Sequence, residues 1–261
     1  MSLDILKLDA GIEVEADTDT LGGGGIQSTD VYALTCEYMY LDQTESGALM
    51  AMGSFKTEAG VSIRFSECIM SKKSGTLKAT YTDKRSNKEV PLPGYSKVLH
   101  LAQAMGLDVQ DLSGLTAEKK ILKLYDFEQK KELPQEKNVI TDFTGKRIQA
   151  AIYEVVETKM AKDGEGNYTV PTAEERKLNT FDKWFNAEGR TIEEVNAEKQ
   201  IAELTAAGSA VPPKVQAIAD GSFREVWLEA HFGKVRDKRK KDAPKAGAPG
   251  KPAGGAKLNF D

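Results

Sequence analysis

Aromatic and cationic residues alternate along the first third of the chain, in a pattern that suits nucleic-acid binding. Flat rings stack on bases of any sequence, while lysine and arginine side chains bind the phosphates. On one extended strand, Tyr38 and Tyr40 share a face, whereas Phe55 and Lys56 point to opposite faces. The candidate contacts are Tyr38, Tyr40, Phe55, Lys56, Arg64, Phe65, Lys72, Lys73 and Lys78.

These rings have a second interpretation, because large aromatic residues also supply most of the area of a protein core. The overall charge gives nucleic-acid binding no general support, since 36 Lys and Arg face 40 Asp and Glu and the formal net charge is −4. Binding of a nucleic acid therefore requires a local basic groove on an otherwise acidic surface.

The charge is unevenly distributed and divides the chain into three parts. Residues 234–261 contain nine Lys and Arg against three Asp, a net charge of +6, which leaves −10 on the preceding 233 residues. We expect an acidic N-terminal lead with a glycine hinge (1–30), a folded body (31–233) and a disordered basic arm (234–261). The arm ends in two large apolar residues and an acid, which we expect to dock on a partner protein: Leu258, Phe260 and Asp261.

Residues that typically carry out catalysis or bind metals are few. Cys36 and Cys68 lie far apart with no CxxC, and the two histidines, His100 and His231, belong to no GxSxG or HExxH motif. The four glycines at 22–25 lack the strand, helix and Lys-Ser/Thr of a phosphate-binding loop, so a hinge is the better interpretation. We expect no enzyme, no cofactor and no metal, although abundant carboxylates leave a metal-dependent nuclease open.

The order of the secondary-structure elements indicates a β-rich α+β protein. Runs at 31–41, 48–56 and 61–70, joined by short glycine-containing turns, predict a β-meander, and a shorter run follows at 76–82. Helical spacing over 95–105 predicts a helix. Strand character returns at 120–127, at 146–158 as a buried central strand, and at 176–185 after a hairpin tip at 163–167.

Two further helices are expected near the end of the body. Thr191 with Glu194, and Ser222 with Glu225, have the spacing of a capping box. An apolar stripe then predicts that the last helix packs on the β body: Phe223, Val226, Trp227 and Ala230. Three strands, a helix and further strands are compatible with an OB-fold, so we expect an OB-fold-like Greek-key barrel with added strands and a few peripheral helices.

The chain resembles bacteriophage single-stranded DNA-binding proteins of the OB-fold type. The resemblance lies in Asp19-Thr20-Leu21-Gly22-Gly23-Gly24, Pro91-Leu92-Pro93-Gly94-Tyr95 and Lys123-Leu124-Tyr125-Asp126-Phe127-Glu128, with a tail that ends beside a phenylalanine. It implies an OB-fold, sequence-tolerant binding of single strands during phage replication, and a C-terminal tip that docks on phage or host replication proteins. The tail departs from many such proteins, in which it is acidic, because here it is basic until Asp261.

The expected function is non-catalytic binding that protects and organises single strands during phage DNA replication and recombination. The resemblance implies a location in the cytoplasm of the infected bacterial host. No apolar run approaches the roughly 20 residues that span a bilayer and the acidic start is no secretory signal, so we expect neither an integral membrane protein nor export by the usual route. A virion or assembly structural β-protein remains the alternative, with a metal-dependent nuclease behind it. Fold class does not separate these functions.

Overall fold

The structure, a computed structural model, describes residues 25–73, 75–126, 129–164 and 168–241. The strands within these residues are β1 (Asp30–Gln43), β2 (Leu49–Thr57), β3 (Ser62–Lys73), β4 (Thr76–Lys78), β5 (Thr80–Thr82), β6 (Glu89–Pro91), β7 (Ala117–Asp126), β8 (Lys131–Ile140), β9 (Arg147–Lys162), β10 (Tyr168–Phe185) and β11 (Arg236–Lys238). The helices are α1 (Pro93–Ala104), α2 (Ile192–Ala206), α3 (Pro213–Ala219) and α4 (Phe223–His231). None of these four helices is long and apolar enough to cross a membrane.

Nine of these strands form one sheet that is organised around β1. The path through the sheet is β10-β9-β1-β2-β3-β4, and all of its pairs are antiparallel. Near its end, at Tyr40 and Leu41, β1 also pairs with β8, which carries β7 as the second strand of a hairpin. Strand β11 adds to the edge of β9 as the one parallel pair among the described strands, and β5 and β6 form a separate two-stranded sheet.

This architecture confirms the expectation of a strand-rich α+β protein. The runs at 31–41, 48–56 and 61–70 form the meander β1–β2–β3, and the helix expected at 95–105 lies almost entirely within α1. The run at 146–158 lies in β9, between β1 and β10. Both of its faces are buried, because Ile148 and Ile152 enter the main core while Tyr153 and Val155 enter a second apolar cluster.

Other expected elements differ from the structure. The run at 76–82 is divided into β4 and β5, and the run at 120–127 begins earlier, at Ala117, with Phe127 outside the described residues. Strands β6, β8 and β11 and helix α3 were not predicted. Four charged residues and Pro134 interrupt the apolar pattern of β8, which becomes a strand by pairing with β7 along its whole length.

The main core lies between the inner face of the sheet and α1. It contains a cluster of rings from three strands, Phe55, Phe65, Phe181 and Trp184, whose neighbouring centroids are 4.9–6.0 Å apart. Val98 and Leu101 of α1 are fully buried in this core. The helix begins so close to β3 that a Cβ atom at Gly94 would overlap the Cys68 carbonyl oxygen, which explains the glycine that follows Pro93.

A β-bulge at Glu37 changes which residues of β1 face the core. Before the bulge Leu34 and Cys36 are buried in the core, and after it Met39 is buried there. The extra residue shifts the alternation by one position, as a bulge does. As a result Tyr38 and Tyr40 point to the outer face of the sheet.

The capping-box prediction is confirmed for α2 and wrong for α4. Thr191 and Glu194 exchange both hydrogen bonds of a capping box, but Ser222 makes no side-chain cap. Instead the Phe223 amide donates to Glu194 Oε1 at 3.5 Å, so α2 supplies the acceptor for α4.

The apolar stripe expected to pack α4 on the body is also corrected. Trp227 is buried against Tyr153 and Phe185, whereas Phe223 and Val226 remain exposed by 38% and 59%. Of the four residues of the stripe only Trp227 is buried, while Leu228 and His231, outside the stripe, also pack in this cluster.

The basic arm begins later than expected. Arg236–Lys238 forms β11 on the edge of β9, and the buried Thr29 hydroxyl donates to the Lys234 carbonyl oxygen at 2.6 Å. Arg236 lies over the Tyr153 ring, and Arg239 pairs with Glu175 at 3.0 Å. Residues 234–241 therefore belong to the body, and the prediction of a disordered arm from 234 is wrong for them. Residues 242–261, including Leu258, Phe260 and Asp261, lie outside the described residues.

Candidate nucleic-acid interface

A groove with a volume of about 810 Å³ opens between β3 and β10. Within the described residues these two strands share no backbone ladder, although both belong to the same sheet. Arg64 lies on the β3 side, Lys177 on the β10 side, and Lys123 and Glu132 of the β7–β8 hairpin line one end. We call this space the β3–β10 groove.

Aromatic rings form the floor of the β3–β10 groove, and one lysine of α1 joins its two strands. The Phe65 and Phe181 rings meet edge to face with centroids 5.5 Å apart. Lys97 of α1 reaches both strands, because its ammonium pairs with Glu67 of β3 and donates to the Phe181 carbonyl oxygen of β10 at 3.1 Å. Side chains therefore join the two strands where their backbones do not pair.

Tyr38 and Tyr40 lie side by side on the outer face of β1, as the sequence predicts, but their surroundings differ. Their ring centroids are 6.1 Å apart. Tyr38 is half-buried and lines the groove. Tyr40 is buried beneath the β7–β8 hairpin against Leu124 and Val139, with the Lys137 ammonium 5.6 Å from its ring centre. Tyr38 is therefore the ring that a base can reach.

Both phenol groups remain neutral near pH 7. Burial raises the pKa of Tyr40 to about 12, and the carboxylate of Asp42 adds to the shift. Burial also raises the pKa of Tyr38, with a further contribution from Glu37 that Arg64 opposes. Neutral hydroxyl groups place no negative charge beside a phosphate.

The charges of the groove are mixed, and the acids are more fully engaged than the cations. Glu37 accepts hydrogen bonds from the hydroxyl groups of Ser54 and Ser62 at 2.6 and 2.9 Å. Within the described part of the chain, Arg64 and Lys123 have no carboxylate within 4 Å. These two cations are therefore available to a bound anion.

Phe55 and Phe65 are corrections to the predicted stacking residues. Phe55 is fully buried and packs against Phe65, Phe181 and Trp184. Phe65 is 3% exposed and forms part of the floor. Neither ring presents a free face to a base, because the inward positions of β2 and β3 hold the core.

The predicted cations occupy three places. Arg64 lies in the groove, while Lys56 lines a separate hollow of about 690 Å³ beside Arg147. Lys72 and Lys78 are exposed around the β3–β4 turn. Lys72 is eight residues beyond Arg64, about 26 Å along a strand. The side chain of Lys73 lies outside the described part of the structure.

Sequence reasoning missed two cations of the groove, Lys123 and Lys177. Lys123 belongs to one of the motifs that carry the phage resemblance, and Lys177 lies in the strand expected at 176–185. In the sequence Lys123 lies between two leucines and Lys177 between Arg176 and Leu178, with no local sign of their distant neighbours. Lys177 pairs with Glu154 at 3.0 Å, so Lys123 is the less constrained of the two.

The described residues contain no group of three or more His, Cys, Asp or Glu side chains placed to hold a metal ion. Burial raises the pKa of the Cys36 thiol to about 12. The His231 ring packs against Tyr153 and Trp227, with centroids 5.2 and 5.0 Å away. Comparison of the chain with protein-family models and with curated protein sequences finds no match.

Proposed function

We propose that this protein binds single-stranded DNA without sequence preference and without turnover. In this role it protects and organises strands during phage DNA replication and recombination, in the cytoplasm of the infected bacterial host. The observation that carries the proposal is the β3–β10 groove, where the Tyr38 ring and the unpaired Arg64 and Lys123 line one open space. In this arrangement the ring stacks on a base while the two cations bind the neighbouring phosphates.

The order of the strands supports an OB-type barrel. Strand β9 returns after α1 to lie beside β1, which gives the spatial order β9-β1-β2-β3 of a Greek key. Strand β10 follows β9 and meets β3 through the Phe65 and Phe181 rings, without a backbone ladder between the two strands. In the proposal this contact is the open side of the barrel. OB-folds bind oligonucleotides on the face of their second and third strands, where β2 and β3 lie here.

The local charge supports the same function on an acidic body. Lys97 neutralises Glu67 at the floor, and two serine hydroxyl groups hold Glu37. Among the described residues, the groove then has two cations without a carboxylate partner, Arg64 and Lys123, and one acid without a partner, Glu132. Local complementarity of this kind attracts an anion even where the net charge is negative.

The C-terminal tip completes the proposal as a docking peptide for phage or host replication proteins. Its residues, Leu258, Phe260 and Asp261, follow a Gly, Ala, Pro and Lys-rich stretch. Such a linker lets the tip reach a second protein while the body holds DNA.

Fluorescence anisotropy of a labelled oligonucleotide of about 30–40 nucleotides, a length for one or a few OB-folds, tests the binding. We expect saturable binding to unrelated sequences and an affinity that falls with salt. Arg64→Gln should reduce the log–log salt slope by about 0.7, the value for one phosphate contact on a single strand. Arg85→Gln, an exposed arginine in the β5–β6 turn, is the matched control.

Three results contradict the proposal. Absence of binding at low salt excludes DNA binding and favours an assembly protein. Shortening of the oligonucleotide in the presence of Mg²⁺, blocked by a chelator, identifies a nuclease. Equal salt slopes for the Arg64 and Arg85 variants would show that the DNA-binding site lies outside the groove.

A further inference from the structure

The β-bulge of β1 places an acid beside the aromatic ring of the β3–β10 groove. Glu37 is the extra residue of the bulge and has no partner on β2, whereas Tyr38 pairs with Ser54, and Ser54 pairs with Arg64 on β3. Tyr38, Ser54 and Arg64 therefore form one row across three strands that lie about 4.8 Å apart. Glu37 and Tyr38 both line the groove, because the bulge turns two successive side chains toward it.

Two serine hydroxyl groups hold the Glu37 carboxylate by one of its oxygen atoms. Ser54 Oγ and Ser62 Oγ both donate to Glu37 Oε2, at 2.6 and 2.9 Å. The other oxygen, Oε1, accepts no hydrogen bond from the described residues, and Glu37 forms no ion pair with any of them. The carboxylate is thus fixed in orientation, while one of its oxygen atoms remains free to accept from a ligand.

An acceptor beside the ring restricts which part of a DNA strand can bond to it. Ionised phosphates and the deoxyribose oxygens within a strand have no hydrogen to donate, so only the N–H groups of the bases can bond to Glu37. Cytosine, adenine and guanine each carry an exocyclic amino group, and a glutamate accepts well from the amino group of cytosine. Thymine has one N–H group, which lies between two carbonyl oxygen atoms that repel a carboxylate.

We propose that Glu37 accepts a hydrogen bond from the amino group of the base that stacks on Tyr38, and thereby disfavours thymine at this one position of the strand. The inference rests on the proposed function. Mixed sequences still bind alike, because three of the four bases carry an amino group and a strand can shift by a nucleotide to supply one. A strand made of thymine alone cannot supply one.

Two oligonucleotides that differ in one part of the base test this contact. A strand of about 30 thymidines and the same strand of 5-methyldeoxycytidine share their backbone and methyl groups, and differ in whether the base carries an amino group. The intact protein should bind the 5-methylcytosine strand about tenfold more tightly, the effect of one hydrogen bond to a charged group. Glu37→Gln should bring the two affinities to within about twofold, because an amide both accepts and donates. Stacking differences along the strand affect both proteins alike, so the measured quantity is the change in this ratio.

Two further variants separate the hydrogen bond from the charge. Glu132 is the other unpaired acid of the groove among the described residues, and its exposed side chain is held by no serine. Glu132→Gln removes the same charge and should raise both affinities together, which leaves their ratio unchanged. Glu37→Asp keeps the charge but withdraws the carboxylate from the base, so its ratio should fall as in Glu37→Gln.

Three results overturn the proposal. The first is a ratio that is the same in the intact protein and in Glu37→Gln. The second is an equal fall of the ratio in Glu132→Gln, which would make the effect one of charge. The third is a folded Glu37→Asp protein that keeps the full ratio, with folding checked by thermal unfolding.

The outcome for Glu37 is distinguishable from the outcome for the function. If the unmodified protein binds neither strand nor a mixed sequence, the proposed function fails. If it binds them and Arg64→Gln weakens the binding, while the ratio does not respond to the Glu37 variants, the base contact alone fails.

Discussion

Lys97 Nζ donates to the Phe181 carbonyl oxygen across 3.1 Å, and the same ammonium pairs with Glu67. Glu67 lies on β3 and Phe181 on β10, the two strands that flank the groove. The Lys97 carbonyl oxygen in turn accepts from the Trp184 indole at 3.0 Å. One residue of α1 thus bonds to both of the strands that flank the groove.

Lys97→Met should lower the free energy of unfolding by about 1–3 kcal/mol, because Glu67 and the Phe181 carbonyl oxygen each lose a donor in a half-buried place. Urea denaturation measures the loss. Lys119→Met is the control, since its partner Glu136 is 62% exposed and the loss should stay below about 1 kcal/mol. Equal losses in the two variants would show that Lys97 does not hold the strands.

Tyr38→Ala and Phe55→Ala should separate binding from folding. Loss of the groove ring should cost about 1–3 kcal/mol of DNA binding. Loss of the buried ring should cost about 3–5 kcal/mol of stability and leave binding by the folded fraction unchanged. Anisotropy and thermal unfolding on both variants give the comparison. A folded Tyr38→Ala protein with full affinity would exclude this ring from the site.

Stability should fall in alkaline solution through Tyr40. Its folded pKa of about 12 lies above the ordinary value of 10, so the unfolded chain loses the proton first. The stabilising contribution is complete below pH 10 and is lost as pH rises from 10 through 12, at about 1.4 kcal/mol per pH unit. Urea denaturation should show a smaller loss in Tyr40→Phe over this range. Cys36 is present in both proteins and contributes equally to their pH profiles. Identical profiles would therefore contradict the assignment of the alkaline loss of stability to Tyr40.

Glu194→Ala should destabilise both α2 and α4. Glu194 is 1% exposed, accepts from the Thr191 amide and hydroxyl group at 2.6 and 2.8 Å, and also receives the Phe223 amide. Loss of these bonds should cost about 2–4 kcal/mol of the free energy of unfolding. Glu198→Ala is the control on the same helix, because Glu198 also pairs with Arg190 but its side chain is 51% exposed. A loss similar to that of the control would mean that water replaces the carboxylate without cost.

Truncation should distinguish β11 from the residues that follow it. A chain that ends at Lys241 keeps β11 and should unfold at the same temperature as the intact chain. A chain that ends at Gly233 loses the strand on β9, the bond from Thr29 and the ring contact of Arg236, and should unfold at a lower temperature. Equal unfolding temperatures for these chains would place β11 outside the cooperative fold.

Removal of Leu258–Asp261 alone should leave DNA affinity unchanged and abolish recruitment of a replication partner.

Local patterns in the sequence predicted much of the fold. The alternation of the meander, the helical spacing before Gly106 and the capping box at Thr191 depend on neighbours within a few residues. The path of the sheet depends on distant pairs, such as Asp30 with Ile152, that leave no local trace. Strand β8 escaped prediction for another reason, because its four charged residues and Pro134 interrupt the apolar alternation.

The candidate site was less predictable than the fold. Alternation separates the two faces of a strand but does not tell which face the rest of the protein covers, so Phe55 and Phe65 looked as suitable as Tyr38. The bulge at Glu37 then determined which tyrosines face outward. Lys123 joined Arg64 only because the hairpin β7–β8 packs over Tyr40.

The pairing of β1 with β9 also constrains how the chain folds as the ribosome makes it. Strand β1 leaves the ribosome with β2 and β3, but Asp30 cannot meet Ile152 until more than a hundred further residues are made. At 5–20 residues per second, this wait lasts about 6–24 s. During that time one edge of the meander has no partner, so a nascent or prematurely terminated chain exposes an edge on which other chains can aggregate. Chaperones that bind extended segments would protect the newborn protein at this stage.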